Sequence, residues 1–257
     1  MKQFQVEIKA QKKINQQYYL LTLTTPQIAK EAQPGQFLLL LSPSKDVFLR
    51  RPFTFHSVKK DQIQILYKVV GPATKAMAFY QPGDKVDIIA PLGKGFEFFE
   101  KKKAAILVGG GSGVAGLFYL AERIKLFLPE CAIKVILGAK NKDEIIPYQD
   151  FLQSGIQVAV VTEDGSLGKQ GLVTDFLEPE LSAHPPKDVA VYACGPRPML
   201  KKVAQLSQRC DCQVSWEEMI ACGVGCCGGC VVKSADKQYP RVCVDGPVFD
   251  AREIGWE

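Results

Sequence analysis

Five of the nine cysteines in this 257-residue chain fall between Cys222 and Cys243, among closely spaced glycines. Cys222, Cys227 and Cys230 stand in a C-x4-C-x2-C spacing, and Cys243 follows after twelve intervening residues. Three thiolates converging from one loop, with a fourth from a neighbouring element, can hold a 2Fe-2S cluster, and the first spacing is that of plant-type ferredoxins. Gly223, Gly225, Gly228 and Gly229 let such a loop adopt positive φ and bring backbone N–H groups toward the sulfides, where they help set the reduction potential. A four-cysteine zinc site uses the same donors, but in two short C-x2-4-C knuckles rather than one crowded loop and one distant ligand. The spacing therefore points to iron–sulfur. Cys226 adds a fifth thiol, and a set containing Cys226 in place of Cys227 competes; the ferredoxin spacing favours Cys227. Cys131 and Cys194 adjoin apolar runs and read as small core residues, while Cys210 and Cys212 receive no role.

Two further groups of residues suit nucleotides. Gly109, Gly110, Gly111, Ser112 and Gly113 separate an apolar run at 104–108 from a helical pattern beginning at Val114. Glycines there let a diphosphate approach the backbone at a helix start, where N–H groups favour anions. The alternative is a glycine turn needed only for close strand–helix packing. Cys194, Gly195 and Pro196 end the last apolar run, where the carboxyl ends of parallel strands meet nucleotides. Glu163 and Asp164 end another run; an acidic group there would accept ribose hydroxyls and favour NADH over NADPH, unless the two only form a solvated turn. Nearer the N-terminus, Arg51, Pro52, Phe53 and Thr54 place a cation, an aromatic and a hydroxyl together, which suits an FAD edge and phosphate. Gly71, Pro72, Ala73 and Thr74 open a helical stretch and form a second anion-binding start. An Arg-Pro pair is also an ordinary strand start at a sheet edge.

Three kinds of element must position these residues. Residues 1–100 alternate in short extended runs, with strands expected at 36–41, 52–58, 62–70 and 85–90 and turns at Pro34-Gly35 and Pro82-Gly83. That pattern predicts an antiparallel β-barrel over 1–100, the domain that carries the residues suited to FAD. Residues 101–210 change to strand–helix–strand grammar, with near-continuous apolar runs at 104–108, 132–138, 156–162 and 189–193 and helices at 114–127 and 198–208. Such runs are what a doubly wound parallel sheet requires, here the NAD-binding α/β domain. Residues 211–257 hold too little apolar material for a core of their own and form a small cluster module, with Cys243 on an expected strand at 239–244.

Composition excludes some classes. The charge of +5 comes from 32 basic and 27 acidic side chains spread along the chain, with Lys101, Lys102 and Lys103 the one tight run. Nucleic-acid binding wants a concentrated basic face with stacking aromatics. The sequence starts without a signal-peptide core and holds no run long enough to span a membrane; the expected location is the cytoplasm, where thiols stay reduced.

Taken together, these motifs resemble the ferredoxin-NADP reductase superfamily, and most closely the electron-transfer subunits of two-subunit, NAD-linked dihydroorotate dehydrogenases. The resemblance spans nearly the whole chain. Arg51-Pro52-Phe53-Thr54 is similar to the flavin motif, Gly109 to Gly113 with Cys194-Gly195-Pro196 to the nicotinamide motifs, and Cys222 to Cys230 with Cys243-Val244-Asp245-Gly246-Pro247-Val248-Phe249 to the cluster motif. The resemblance also places Leu66, Tyr67 and Lys68 along the flavin, and Ala73-Thr74 where many members carry Gly-Thr at the FAD diphosphate. It implies FAD, a 2Fe-2S cluster and NAD+ as acceptor. It further implies an FMN-containing catalytic partner that oxidises dihydroorotate in pyrimidine biosynthesis, assembled as two of each subunit. In that scheme no residue of this chain acts on dihydroorotate. The alternative is the related FAD and iron–sulfur subunit of a ferredoxin- or hydrogenase-linked NAD(P)H oxidoreductase.

Overall fold

The structure is a computed structural model that describes residues 2–256. The N-terminal part forms one antiparallel sheet from β1 (Lys2–Lys13), β2 (Tyr18–Thr24), β3 (Phe37–Leu40), β4 (Arg51–Thr54), β5 (Ser57–Lys59), β6 (Gln62–Lys68) and β7 (Lys85–Leu92), with α1 (Pro26–Glu31) and α2 (Pro72–Met77) between strands. The strand order is β4-β3-β7-β1-β2-β6-β5. In β7 every second residue, Val86, Ile88, Ala90 and Leu92, turns inward, the period-2 pattern of a strand with one buried face. The single strand expected at 52–58 is instead two. Phe55 N–H donates to Gln36 O (3.3 Å) while the next amide, His56 N–H, donates to Gln64 O (2.8 Å). The chain thus leaves β3 for β6 within two residues, joins the two edges of the sheet and closes a barrel.

The second sheet contains β8 (Ala104–Gly110), β9 (Ala132–Ala139), β10 (Gln157–Thr162), β11 (Lys169–Gln170), β12 (Val189–Cys194), β13 (Asp211–Ser215) and β14 (Val248–Asp250), in the order β11-β10-β9-β8-β12-β13-β14. All pairs are parallel except β13 with β14. Every residue of β8 and β12 is buried, as a sheet covered on both faces demands. α3 (Leu117–Phe127) and α4 (Gln149–Gln153) cover one face, and α5 (Val173–Ser182) and α6 (Arg197–Leu206) the other. The chain runs outward from β8 through β9 to β10, then resumes at β12 on the other side of β8. This reversal is the switch point beyond whose strand ends open α/β sheets bind ligands.

Two strands from beyond residue 210, β13 and β14, complete the parallel sheet. They hold between them residues 216–247, which contain no helix or strand longer than a single bridge. The strand expected at 239–244 is a turn. Arg241 O accepts N–H bonds from Val244 (3.1 Å) and Asp245 (2.7 Å), folding the chain back at Cys243.

Barrel and nucleotide domain meet along β5 and α3. His56 Nδ1 lies 2.7 Å from Ala115 O; a carbonyl only accepts, so Nδ1 carries the hydrogen. Ser57 Oγ donates to Glu122 Oε2 (2.8 Å), Lys59 pairs with Glu122 Oε1 (3.0 Å), and Tyr119 Oη donates to Ala32 O (2.9 Å).

Candidate cofactor clefts and cysteine centre

A cleft of about 520 Å3 opens between the barrel, the switch point and the C-terminal module. Arg51, Pro52, Phe53, Thr54, Leu66, Tyr67, Lys68, Gly71, Ala73 and Thr74 all line it, so the barrel residues read from sequence converge on one space. The broken strand explains why. β4 ends at the closure of the barrel and presents its side chains beside β6, whose Tyr67 meets Phe53 edge-on at 5.9 Å and stacks with Tyr19 at 5.8 Å. An aromatic and apolar wall with a few polar tips is the usual character of a cofactor cleft of this size. Thr54 Oγ1 donates to Gln36 O (3.2 Å). Arg51 Nη1 donates to Leu49 O (2.9 Å), and a guanidinium has further donors to turn toward phosphate. Thr74 Oγ1 accepts from the amides of Val70 (2.9 Å) and Gly71 (3.2 Å), which fixes the entry to α2. A Cβ on Gly71 would meet no atom within 4 Å, so the cleft floor is open there. The residues fit an elongated flavin dinucleotide.

A second cleft of about 370 Å3 lies on the other side of the glycine turn. Gly110, Gly111 and Pro196 line it, with Lys140, Glu144, Glu163, Thr174 and Lys202, whereas Ser112, Gly113 and Cys194 face the first cleft. The two motif loops are therefore the wall between two compartments. Gly195 lines neither; with φ +156° its backbone takes a path that side chains avoid, and a Cβ there would lie 3.0 Å from Gly110 N and O. A Cβ on Gly113 would lie 2.6 Å from Cys194 C. Close loop–loop packing and an open face toward a ligand are both present: Gly111, at φ +55°, has nothing within 4 Å of a would-be Cβ. The expected helix at 114–127 begins as a tight 3-10 turn, Gly111–Gly116, before α3. Gly116 sits so near Thr54 Oγ1 (2.9 Å from a would-be Cβ) that only glycine lets this turn press on the barrel.

Of the acidic pair ending β10, Glu163 lines the second cleft. Asp164 is occupied in its own turn, accepting from Ser166 N (2.9 Å) and Oγ (2.6 Å), bonds that hold its carboxyl below the usual range.

The cysteines behave as two sets. Cys131, Cys194, Cys210 and Cys212 are buried in the sheet layers, and burial raises each thiol, Cys194 and Cys212 to about 12. They are neutral core groups, although Cys194 also faces the first cleft. In the C-terminal module the thiols fall into a group of three and a pair. Cys222 faces Cys226 and Cys227, and the amides of Val224 (3.5 Å) and Cys227 bring its thiol down to about 6. Cys230 faces Cys243, and Cys243 N–H donates to Cys230 Sγ at 3.4 Å. Among the described residues no three His, Cys, Asp or Glu side chains close around a single ion. The pair Cys230 and Cys243, with two thiols drawn from the group of three, instead suits a centre of two irons, each taking two thiolates. Gly229 N–H donates to Cys227 Sγ at 3.4 Å, a bond of the kind that Cys222 and Cys230 also accept. Gly223, at φ +70°, rests on the barrel, where a Cβ would strike Leu39 Cδ1 at 2.3 Å.

Sequence reasoning missed the far wall of the first cleft: Gly35, Phe96, Ser215, Trp216, Glu217, Glu218, Ile220, Val242 and Pro247. Glu217 reaches solvent through the cleft mouth, yet protein surrounds it closely enough that lost hydration raises its carboxyl. Glu218 pairs with Arg197, whose guanidinium lies 5.0 Å from the centre of the Trp216 ring. The available signal was position: Trp216, Glu217 and Glu218 directly follow the end of β13, at the same sheet edge as Cys194.

A barrel beside a doubly wound sheet, with a cleft between them and a cysteine loop against its wall, defines a flavin- and nicotinamide-type reductase fold carrying an iron–sulfur module. The ferredoxin NADP+ reductase of Neisseria gonorrhoeae, solved with bound FAD and NADP, shares this fold at a TM-score of 0.66 and 19% identity, over 80% of this chain and 90% of that one. An NADH-dependent reduced ferredoxin-NADP oxidoreductase, solved in work on flavin-based electron bifurcation, matches at a TM-score of 0.83 and 30% identity, over 98% of this chain and 90% of that one. The family model of the iron-sulfur cluster binding domain of dihydroorotate dehydrogenase B matches residues 217–255. The electron transfer subunit of dihydroorotate dehydrogenase B (NAD(+)) from Caldanaerobacter subterraneus subsp. tengcongensis is 40% identical over 88% of both chains. This chain belongs to the family of dihydroorotate dehydrogenase B electron transfer subunits.

Proposed function

We propose that this chain carries electrons from a partner's FMN, reduced by dihydroorotate, through a 2Fe-2S cluster and FAD to NAD+, in the pyrimidine pathway of the cytoplasm. One observation carries most of the weight. Val242 lines the first cleft and its neighbour is Cys243; Ile220 lines it two residues before Cys222. Residues of the cleft wall are thus close chain neighbours of two of the cysteines, which puts the thiol loop beside the flavin cleft.

In this reading Arg51, Pro52, Phe53, Thr54, Leu66, Tyr67, Lys68, Gly71, Ala73 and Thr74 hold FAD. Gly110, Gly111 and Pro196 hold the dinucleotide directly, Ser112, Gly113, Cys194 and Gly195 build the wall behind it, and Cys222, Cys227, Cys230 and Cys243 hold the cluster. Bound FAD supplies the exchange between a two-electron hydride and single electrons. The chain's own part is positional: the glycine turn sets how closely the two clefts approach, and the buried, neutral Cys194 thiol forms part of the first cleft's wall. The useful functional division is residues 1–100 for FAD, 101–210 for NAD and 211–257 for the cluster, the last tied into the nucleotide sheet by β13 and β14.

The partner in this proposal is an FMN-containing dihydroorotate-oxidising subunit, in a complex of two copies of each. Among the described residues no helix is long and apolar enough to cross a membrane. The test is co-expression with that partner, followed by anaerobic assay of orotate formation against NAD+ reduction. Stoichiometric orotate and NADH support the reading. Reduction of ferredoxin or NADP+ in place of that reaction would assign the chain to a ferredoxin-linked oxidoreductase.

A further inference from the structure

Arg241 is a basic side chain bonded directly to the cysteine loop. Its Nη1 donates to Gly225 O at 3.1 Å, and its Nε and backbone N–H both donate to Asp245 Oδ2, at 3.1 and 2.8 Å. Its carbonyl closes the turn that contains Cys243. One residue therefore holds the Cys222–Cys230 loop from outside and the Cys243 turn from within.

Gly225 shows how tight this arrangement is. Its φ is +79°, and a Cβ would lie 2.8 Å from Val244 Cγ2 and 3.1 Å from Arg241 Nη1. Its carbonyl is taken by the guanidinium. A carbonyl drawn outward leaves the loop's amides free to turn toward sulfur, and N–H···S bonds are among the groups that set the potential of an iron–sulfur centre. Charge acts in the same place. Arg241 stands two residues before Cys243, and its guanidinium bonds both to Asp245 and to the Gly225 carbonyl of the cysteine loop. Asp245 Oδ2 accepts from both the backbone N–H and the Nε of Arg241 and so sits beside the same turn.

We propose that the Arg241–Asp245 pair tunes the reduction potential of the cluster, with Arg241 as a positioning residue for the Gly225 peptide and a favourable charge for the reduced state. This rests on the reading that the thiol loop carries a 2Fe-2S cluster. Reduction adds one negative charge to the centre; a cation nearby stabilises that state and an anion opposes it. Removing Arg241 leaves Asp245 uncompensated, whereas removing the Asp245 charge leaves Arg241 uncompensated. The two changes must shift the potential in opposite directions. Because both side chains are partly exposed, the shifts shrink as salt rises.

The test uses the full chain purified anaerobically with its partner, in wild type, Arg241→Gln, Asp245→Asn and the double variant. Iron and acid-labile sulfide are counted, and the reduced cluster is followed by EPR during a redox titration at low and high salt. In Arg241→Gln the reduced-to-oxidised ratio at a fixed potential should fall about tenfold, a shift of about 59 mV for a one-electron couple. Asp245→Asn should raise the ratio, and the double variant should return toward wild type. Shifts of the same sign in both single variants, or no shift in either, overturn the proposal. If Arg241→Gln loses iron, Arg241→Lys decides: a retained cluster at near wild-type potential supports the proposal, and one lowered as far as an uncharged replacement would lower it refutes the proposal. Absence of labile sulfide in wild type defeats the underlying cluster assignment and is recognised by that count alone.

Discussion

A single methyl group at Gly113 should damage the enzyme out of proportion to its size. In Gly113→Ala the new Cβ would stand 2.6 Å from Cys194 C and 2.7 Å from both Cys194 O and Gly195 N. Ordinary van der Waals contact needs nearly 1 Å more, and the opposing atoms are backbone rather than a flexible side-chain end. Either the glycine turn or the end of β12 must move. Forcing a methyl into so filled a space costs about 1–3 kcal/mol. The larger effect is geometric, because Gly113 and Cys194 form part of the wall between the two clefts. A misplacement of about 1 Å between reacting partners can slow a reaction by about a hundredfold. Urea denaturation should show the stability loss, and anaerobic stopped-flow reduction of the bound flavin by NADH should show a slowing between about tenfold and a hundredfold. Wild-type stability together with a wild-type flavin reduction rate would refute the idea that this contact sets the spacing of the clefts.

Cys227→Ser should lose iron and labile sulfide, while Cys226→Ser should keep both, because the Cys227 sulfur is the one that accepts the Gly229 amide; iron and sulfide analysis decides it. Glu163→Gln should weaken NADH binding about tenfold, the loss of one hydrogen bond to a charged acceptor, and narrow the preference over NADPH, as read from steady-state kinetics with both nucleotides. His56→Ala should flatten the acid limb of stability. His56 Nε2 lies 3.5 Å from Asp150 Oδ2, a contact that holds the Asp150 carboxyl below its ordinary value, so this contribution fades as pH falls through the lower folded value. Urea unfolding across the acid range should fall more steeply in wild type than in the variant.

The second domain was the more legible part because its strands are buried on both faces. Ala104–Gly110 and Val189–Cys194 are nearly pure apolar runs, and such runs can only be strands in the middle of a covered sheet. β1 was not anticipated because only Val6 and Ile8 are buried among its twelve residues; its partners β2 and β7 hold it by backbone pairing that side-chain alternation does not announce. The split of 52–58 was hidden for a related reason. Phe55 and His56 are consecutive residues whose amides reach opposite edges of the sheet, and local sequence cannot say which strand lies on either side. Of the barrel residues that line the first cleft, those at 51–54 and 71–74 stood in short motifs that the barrel closure gathers, while Leu66, Tyr67 and Lys68 came from the resemblance alone. Trp216, Glu217, Ile220 and Val242 were not legible, since their place in the cleft depends on how a segment without regular structure returns across the barrel.

The most direct measurement is NADH formation from dihydroorotate by the partnered complex in which Cys227→Ser has removed the cluster, with flavin content confirmed. If electrons pass from the partner through the cluster to FAD, NADH formation should stop while NADH still reduces the bound FAD. NADH forming at the wild-type rate in the cluster-free complex would contradict the relay.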